Sequence, residues 1–266
     1  MMYYSLINSM NRAVVSSYTA RTTAFASATA ITDTTILNAL NTFDLGLISN
    51  SLDTKMKAVY PFVGGTSTTC KYNFMNAVDS NAAFRLQFSG GGTFSSNGYL
   101  PNGTNAYADT FFIPLNDSLI NNISYNYYSR TNTVGNSNFG SSDSGYSFLT
   151  NMYISFNGSQ NWAKLNGMGY LKTASTDSRG LFGSNTTTNG TFTTWKNGSK
   201  LGTNTSTATG LSPSKIWIGG GNFAGSPEYG NMQCAFFNIS TGLTDVQQST
   251  FYSLVQTLQT SLSRQV

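Results

Sequence analysis

Hydrophobic and polar residues alternate in short runs along most of this chain. In one run Phe84, Leu86 and Phe88 alternate with smaller or polar residues, and a glycine cluster at 90–92 ends it. Short period-two runs separated by Gly, Pro, Asn and Ser are typical of half-buried antiparallel strands. We therefore predict an all-β fold with strands over residues 56–61, 82–88, 106–113, 123–130, 146–156, 163–172, a run opening at 181, 191–201, 215–219 and 232–239.

Local signals refine this pattern. Asn197 and Gly198 lie between strand-like flanks, and this pair tolerates positive φ at both turn positions, which predicts a two-residue type I′ hairpin. The run 232–239 is apolar on both faces, so we expect it to be central or covered. Residues 131–145 are polar and turn-rich and are predicted as a loop. We also predict that Trp162 lies in a loop.

Two stretches have helical spacing instead. The first begins at an N-cap at Thr32 or Asp33, and Gly46 predicts a break before residues 47–52. The second begins with a capping box of Thr244 and Gln247 and reaches Ser263. Their apolar stripes are Ile36, Leu37, Leu40 and Phe43 in the first and Phe251, Leu254, Val255, Leu258 and Leu262 in the second. We expect a short N-terminal helix and a C-terminal helix on a β-sandwich.

The first 30 residues differ from the rest of the chain. Residues 1–30 are rich in Ser, Ala, Thr and Tyr and show little periodicity. Two interpretations stay open: an arm that packs on another chain, or a disordered leader. No domain boundary or fixed-period repeat follows, so residues 31–266 are predicted to form one domain.

Charge is scarce, and this excludes several function classes. Charged residues make up 9% of the chain, the net charge is +4, and no Lys/Arg cluster offers a nucleic-acid groove. No run approaches the roughly 18 apolar residues that span a bilayer. The N-terminus lacks the basic and apolar regions of a secretory signal. Cys70 and Cys234 are interpreted as buried thiols rather than a bridge, although a bridge is not ruled out by the sequence.

The sequence also lacks the groups that hydrolysis needs. Glycoside hydrolysis ordinarily uses two carboxylates at a set separation, but Glu228 is the single Glu and no closely spaced Asp pair occurs. Without His, no Ser-His or Cys-His nucleophile can form. We assign no catalytic residue and expect no enzymatic activity.

Binding chemistry, by contrast, is present. Saccharides stack on aromatic rings that are flanked by amides, hydroxyls and a few charges. The candidate glycan-binding residues are Trp162, Trp217, Asn222, Tyr229 and Arg179. Each has an alternative: the aromatic residues can pin loops or form partner interfaces, and Arg179 can form an ion pair with Asp177.

Several longer motifs carry a resemblance to a known family. They are KMKAVYPFVGG (55–65), AAFRLQFSGG (82–91), LPNGTNAYADTF (100–111), YSRTNT (128–133), TDSRG (176–180), WKNG (195–198), KIWIGGGN (215–222) and the tail CAFF…GLTD…SRQV. Over about residues 31–266 the chain resembles a module in virion proteins of bacterial viruses, especially those infecting Bacteroidetes. That module is similar to the laminin-G/concanavalin A-like sandwich. Cys70 and Tyr72 depart from it, because the family often has His and Trp there.

The resemblance implies an antiparallel jelly-roll sandwich on a bacteriophage virion. The implied function is a head- or tail-fibre or spike adhesin, made in the host cytoplasm, that binds a host surface glycan. Residues 1–30 would attach it to other virion proteins, and analogy with viral fibres favours a homotrimer. Laminin-G-like domains often hold calcium, for which Asp109, Asp143 and Asp177 are weak candidates. The alternatives are a decoration or assembly protein without carbohydrate binding and, disfavoured by the missing Glu pair, a polysaccharide depolymerase.

Overall fold

Two β-sheets packed face to face form most of the structure, a computed structural model that describes residues 18–188 and 190–266. The predicted all-β sandwich with a helix near each end is confirmed. Within the described ranges, no helix is both long and apolar enough to cross a membrane. Most of the predicted N-terminal arm, residues 1–17, lies outside the described residues.

The first sheet has eight strands among the described residues, in the order β13-β12-β11-β6-β17-β4-β3, with β1 paired to β17. Its pairs are antiparallel, and β17 takes β1, β4 and β6 as partners, as expected for a strand apolar on both faces. The bounds are β1 Met56–Tyr60, β3 Thr93–Ser95, β4 Gly98–Leu100, β6 Ile123–Ser129, β11 Gly180–Thr188, β12 Thr191–Lys196, β13 Ser199–Asn204 and β17 Cys234–Ser240.

The second sheet has nine strands in the described part of the chain, in the order β10-β9-β8-β7-β14-β5-β2, with β15 paired to β7 and to β16. Only the β15–β7 pairing is parallel. The bounds are β2 Gln87–Ser89, β5 Tyr107–Asp109, β7 Phe139–Ser142, β8 Thr150–Tyr153, β9 Gln160–Lys164, β10 Leu171–Ala174, β14 Trp217–Ile218, β15 Gly220–Phe223 and β16 Glu228–Tyr229.

Two hydrophobic clusters define three layers. One lies between the sheets and includes Tyr125, Phe139 and Phe237. The other lies between the outer face of the first sheet and the helices, where Phe236 meets Phe251. The helices are α1 Ala20–Thr29, α2 Thr34–Ser49, α3 Ser67–Cys70, α4 Pro114–Asp117 and α5 Asp245–Ser261. The long helices therefore cover one face of the sandwich.

The N-terminal helices pack on this chain itself. Phe25 of α1 is buried with its ring centroid 5.4 Å from that of Phe74, and Arg21 pairs with the buried Asp44 of α2. Residues 18–30 thus contact the sandwich, while attachment of the segment 1–30 to another protein stays a prediction. The oxygen Oδ1 of Asp33 accepts the Thr35 amide at 2.8 Å, as expected of the N-cap.

The break predicted at Gly46 is wrong, because α2 continues to Ser49. A Cβ at Gly46 would lie 2.4 Å from Cδ2 of Leu254, so the glycine lets α5 approach closely. Helix α5 itself follows the prediction: Thr244 and Gln247 form the capping box, and Phe251, Val255 and Leu258 are buried.

Arg264 lies beyond α5 and is buried without a carboxylate partner among the described residues. Its guanidinium donates to the carbonyls of Phe62 at 3.0 Å, Pro61 at 2.5 Å and Ala235 at 3.0 Å. Burial lowers the pKa of Arg264 to about 10. These bonds join the end of β1, β17 and the C-terminal segment.

Several sequence-based assignments need correction. The residues 131–145, predicted as loop, contain β7, where Phe139 enters the core and the glycine and serines are small enough to be buried between β8 and β14. The run 82–88 begins in a 3₁₀ turn and Phe84 takes positive φ, so only Gln87 and Phe88 of this run belong to a strand. The run 106–113 is strand only over Tyr107–Asp109, and the run 146–156 only over Thr150–Tyr153. The run 163–172 is not one strand, because residues 165–170 separate β9 from β10.

The tightest turn and the cysteines agree with prediction. Asn197 and Gly198 have φ of 48° and 74° and join β12 to β13. Cys70 and Cys234 are free and buried. Burial raises the pKa of Cys70 to about 11 and that of Cys234 further still.

Candidate functional site

The outer face of the second sheet carries two of the predicted residues, Trp162 and Trp217, and a third, Tyr229, lies close to Trp217. Met152, Ala163 and Ile218 point into the core, so their neighbours point outward. Across the strands, Tyr153 pairs with Trp162, which pairs with Lys172. Asn151 pairs with Gly140, which pairs with Trp217. Trp162 and Trp217 therefore share one face, and the prediction that Trp162 lies in a loop is wrong.

Aromatic side chains surround Trp162 and form what we call the Trp162 cluster: Tyr153, Phe156, Trp162 and Tyr170. The Phe156 and Trp162 ring centroids are 4.0 Å apart at 23°, and Tyr170 lies 5.8 Å from Trp162. Nζ of Lys172 lies 3.8 Å from the Trp162 centroid. A ring and an ammonium this close cannot share one face, so both indole faces are occupied. Phe156 and Tyr170, 41% and 38% exposed, supply the accessible ring surface.

Polar groups lie beneath these rings. The amide of Asn151 is fully buried next to the hydroxyls of Tyr153 and Tyr170. Burial, and then the nearby Glu228 carboxylate, raise the pKa of the Tyr153 hydroxyl. Oε2 of Glu228 is buried and has no hydrogen-bond partner among the described residues. The cluster thus combines exposed rings with amide, phenol and carboxylate groups at its base.

A second group, the Trp217 cluster, consists of Tyr107, Trp217 and Tyr229. Tyr107 stacks on Trp217 with centroids 3.6 Å apart at 14°, and Tyr229 lies 6.4 Å from Tyr107. Nε1 of Trp217 is buried, and no group in the described part of the chain accepts its hydrogen bond. Because Glu228 contacts the Trp162 cluster and Tyr229 the Trp217 cluster, β16 lies between the two.

The other two glycan-binding candidates make structural contacts. The side-chain amide of Asn222 donates to the Lys215 carbonyl at 3.0 Å. These two residues lie on either side of Trp217 in the sequence. Arg179 precedes β11 of the first sheet, and its guanidinium bonds Asp177 at 3.0 Å. This bond raises the pKa of Arg179 and lowers that of Asp177. The ion-pair interpretation of Arg179 agrees with this geometry.

The three aspartates named for calcium each bind groups of the protein. Asp109 accepts from Lys215 at 3.1 Å and from the Phe111 amide at 2.8 Å. Asp143 accepts a hydrogen bond from the Phe148 amide. Burial alone would raise the pKa of Asp143, but this hydrogen bond and others have the larger effect together, so the pKa is lowered. The described ranges contain no group of three or more His, Cys, Asp or Glu that could hold a metal.

Sequence reasoning missed Phe156, Tyr170, Tyr107 and Lys172. A signal for Phe156 was present, since the turn at Asn157 and Gly158 places it beside the start of β9, where its amide donates to the Gln160 carbonyl at 2.9 Å. The position of Lys172 beside Trp162 is set by the register of β10 on β9. Tyr107 could not be found from spacing, because it meets Trp217 only through a pairing of strands 110 residues apart.

Comparisons with known proteins identify the fold. No protein-family model matches the chain, and a search of curated proteins finds no significant relative. Domain 4 of AbnA, a GH43 extracellular arabinanase from Geobacillus stearothermophilus solved with arabinotriose, is 13% identical, with a TM-score of 0.50 over 74% of this chain and 98% of that domain.

Two further structures are similar. A mutant of HCR/D is 10% identical, with a TM-score of 0.53 over 77% of this chain and 53% of that one. A Trypanosoma rangeli sialidase with difluorosialic acid is 12% identical, with a TM-score of 0.48 over 81% and 39%. At these identities the likeness concerns the fold alone. The chain has the lectin-like antiparallel sandwich that was predicted.

Proposed function

We propose that this protein binds glycans through the outer face of the second sheet. The observation that carries the proposal is that two aromatic clusters share that face, with polar groups around them. Exposed rings at Phe156 and Tyr170 offer flat apolar surfaces to the C–H faces of sugars. The half-exposed amide of Gln160, which accepts from Nε1 of Trp162 at 2.9 Å, can hydrogen-bond hydroxyls, and binding sites commonly combine aromatic walls with a few polar groups in this way.

The fold comparison supports this proposal in general terms. The AbnA domain covers most of this sandwich and was solved in complex with arabinotriose. A fold does not fix a function, so the argument rests on the residues of the site.

The setting we propose is a bacteriophage virion surface, where the chain acts as a fibre or spike adhesin on a host glycan. This part rests on the sequence resemblance, as do attachment through residues 1–30 and a trimeric state. We further propose that the protein is not an enzyme. The single Glu has no carboxylate partner identified at the site, and the raised pKa of Tyr153 makes that phenol a poor nucleophile.

A decoration or assembly protein without carbohydrate binding is the second candidate. One observation favours it: Leu45 and Ile48, 52% and 45% exposed, present apolar side chains one turn apart on α2. Exposed apolar surface of this kind often marks a protein interface.

A glycan array, followed by titration of the best ligand, tests these candidates. We expect Phe156→Ala and Tyr170→Ala each to weaken binding by roughly tenfold, as for central interface aromatics. Val246→Ala, at a 76% exposed position of α5, is the matched control and should leave affinity unchanged. If no glycan binds, or if both aromatic variants bind like the wild type, the proposal fails. Release of reducing sugar from a bound polysaccharide would instead support the depolymerase hypothesis.

A further inference from the structure

Two lysines at the Trp162 cluster have no acidic partner. Lys164 on β9 and Lys172 on β10 make no ion pair with any described residue. Six other described Lys and Arg side chains form ion pairs, and among them Lys71, Lys200 and Lys215 each bind an aspartate within 3.1 Å. The two ammonium groups instead lie against aromatic rings, 5.6 Å from the Tyr170 centroid and 3.8 Å from the Trp162 centroid.

The chain around these lysines is free of acids. No Asp or Glu occurs between Asp143 and Asp177, a stretch that contains β8, β9 and β10. The strand register points Lys164 and Lys172 to the same face as Trp162.

Aromatic rings hold an ammonium group without saturating it. A cation–π contact at an exposed site contributes less than a charge-assisted hydrogen bond to an anion. The three N–H donors of each lysine therefore stay available to an incoming acceptor. Because Lys172 is exposed, an anionic ligand can reach it from solvent.

The one carboxylate known to lie beside the cluster belongs to Glu228. Its Oε2 is buried without a hydrogen-bond partner in residues 18–188 and 190–266, and its charge acts on the hydroxyls of Tyr153 and Tyr170 at the base. Two cations at the rim and one partly buried carboxylate leave a local excess of positive charge. The Glu228 charge weakens but does not cancel the attraction for an anion.

We propose that the Trp162 cluster selects acidic saccharides, with the anionic group held by Lys164 and Lys172 and a sugar ring stacked on Phe156 or Tyr170. This inference rests on the proposed glycan binding and names the ligand class. The recognised chemistry is a sugar that carries carboxylate or sulfate groups. The Trp217 cluster does not share this selectivity, since Lys215 there is paired with Asp109.

The test uses the full chain on an array of acidic glycans and of the same glycans after carboxyl reduction or desulfation, which remove the charge and keep the sugar. We expect acidic members to bind at least about tenfold more tightly than their neutral counterparts, and binding to weaken as salt is raised. Lys164→Gln and Lys172→Gln should each cost about fivefold for acidic ligands and leave neutral ones unchanged. Glu228→Gln should tighten acidic binding about twofold.

Lys57→Gln provides the matched control, because Lys57 also lacks an ion pair but lies on β1 of the first sheet. Equal binding of acidic and neutralised glycans, or an equal loss with Lys57→Gln and Lys172→Gln, would overturn the charge selection while the proposed function stands. A protein that binds no glycan on either array would overturn both.

Discussion

The two outer faces of the sandwich arise from the same alternation but carry opposite chemistry. On the first sheet, outward residues such as Leu181 and Phe236 are apolar and lie buried beneath α2 and α5. On the second sheet, outward positions carry Trp162, Trp217 and Lys172, which retain contact with solvent. A sheet face that is apolar must be covered by another layer, whereas an amphipathic aromatic face can stay accessible for a ligand. The covered face therefore contributes to stability, and the accessible face is the one that we propose for binding.

The largest loss of stability is expected from a substitution at the covered face of the first sheet. Phe251→Ala removes a fully buried ring that packs 6.0 Å from Phe236, so we expect a loss of about 3–5 kcal/mol in the free energy of unfolding. Urea denaturation measures this loss of stability. Glycan affinity is then determined on the fraction of the protein that stays folded. A loss of affinity without a loss of stability would break the division between the faces.

A buried thiol in the core between the sheets is expected to make the free energy of unfolding depend on pH. Burial raises the pKa of Cys70 from 9.0 to about 11, so the thiol stays protonated in the folded state while the unfolded chain ionises. Its stabilising contribution is complete below pH 9 and is lost as pH rises towards 11, a change of roughly 2–3 kcal/mol for this group.

Denaturation at pH 8 and pH 10.5 measures this change, and Cys70→Ala is the control. The variant should show a shallower decline than the wild type, although the buried tyrosines still contribute. Identical pH profiles would contradict the assignment to Cys70.

A smaller effect is expected at the start of α5. Thr244→Ala removes the hydroxyl that accepts the Gln247 amide at 3.3 Å, and we expect destabilisation by about 1 kcal/mol. Thermal unfolding detects it as a lower Tm. Thr244→Ser keeps the hydroxyl and should behave like the wild type, and if it is equally destabilised, the cap is not the cause.

The smallest effect on stability is expected on the second sheet. Tyr170→Phe leaves the ring and removes only a hydroxyl, so the free energy of unfolding should change by no more than about 1 kcal/mol. Equilibrium denaturation measures the change. A loss comparable to that of Phe251→Ala would show that the second face also stabilises the fold.

Local sequence signals predicted those elements whose conformation depends on interactions between neighbouring residues. The turn at Asn197 and Gly198 and the capping box at Thr244 need only a few neighbouring residues, and both were predicted. Strand β17 was recognised because apolar residues on both faces require burial on both sides.

The errors occur where distant segments decide. The glycine at position 46 is a helix breaker in isolation, but close packing on Leu254 gives it another role. Strand β7 carries one apolar residue, Phe139, beside a glycine and two serines, yet β8 and β14 pair with it and all four residues are buried. For the site, Trp162 and Trp217 were predicted individually, while their common face depends on the register of four strands, which spacing along the chain does not contain.

Arg264 has a consequence for the order of events during biosynthesis. Its bonds reach residues 61 and 62, a separation of more than 200 positions along the chain. A ribosome must therefore deliver residue 264 before the carbonyls at the end of the first strand receive these donors. Until then a nascent chain exposes them to water, and contacts of such long range slow folding. Closure of this part of the sandwich therefore waits for the segment that carries Arg264 to emerge from the ribosome.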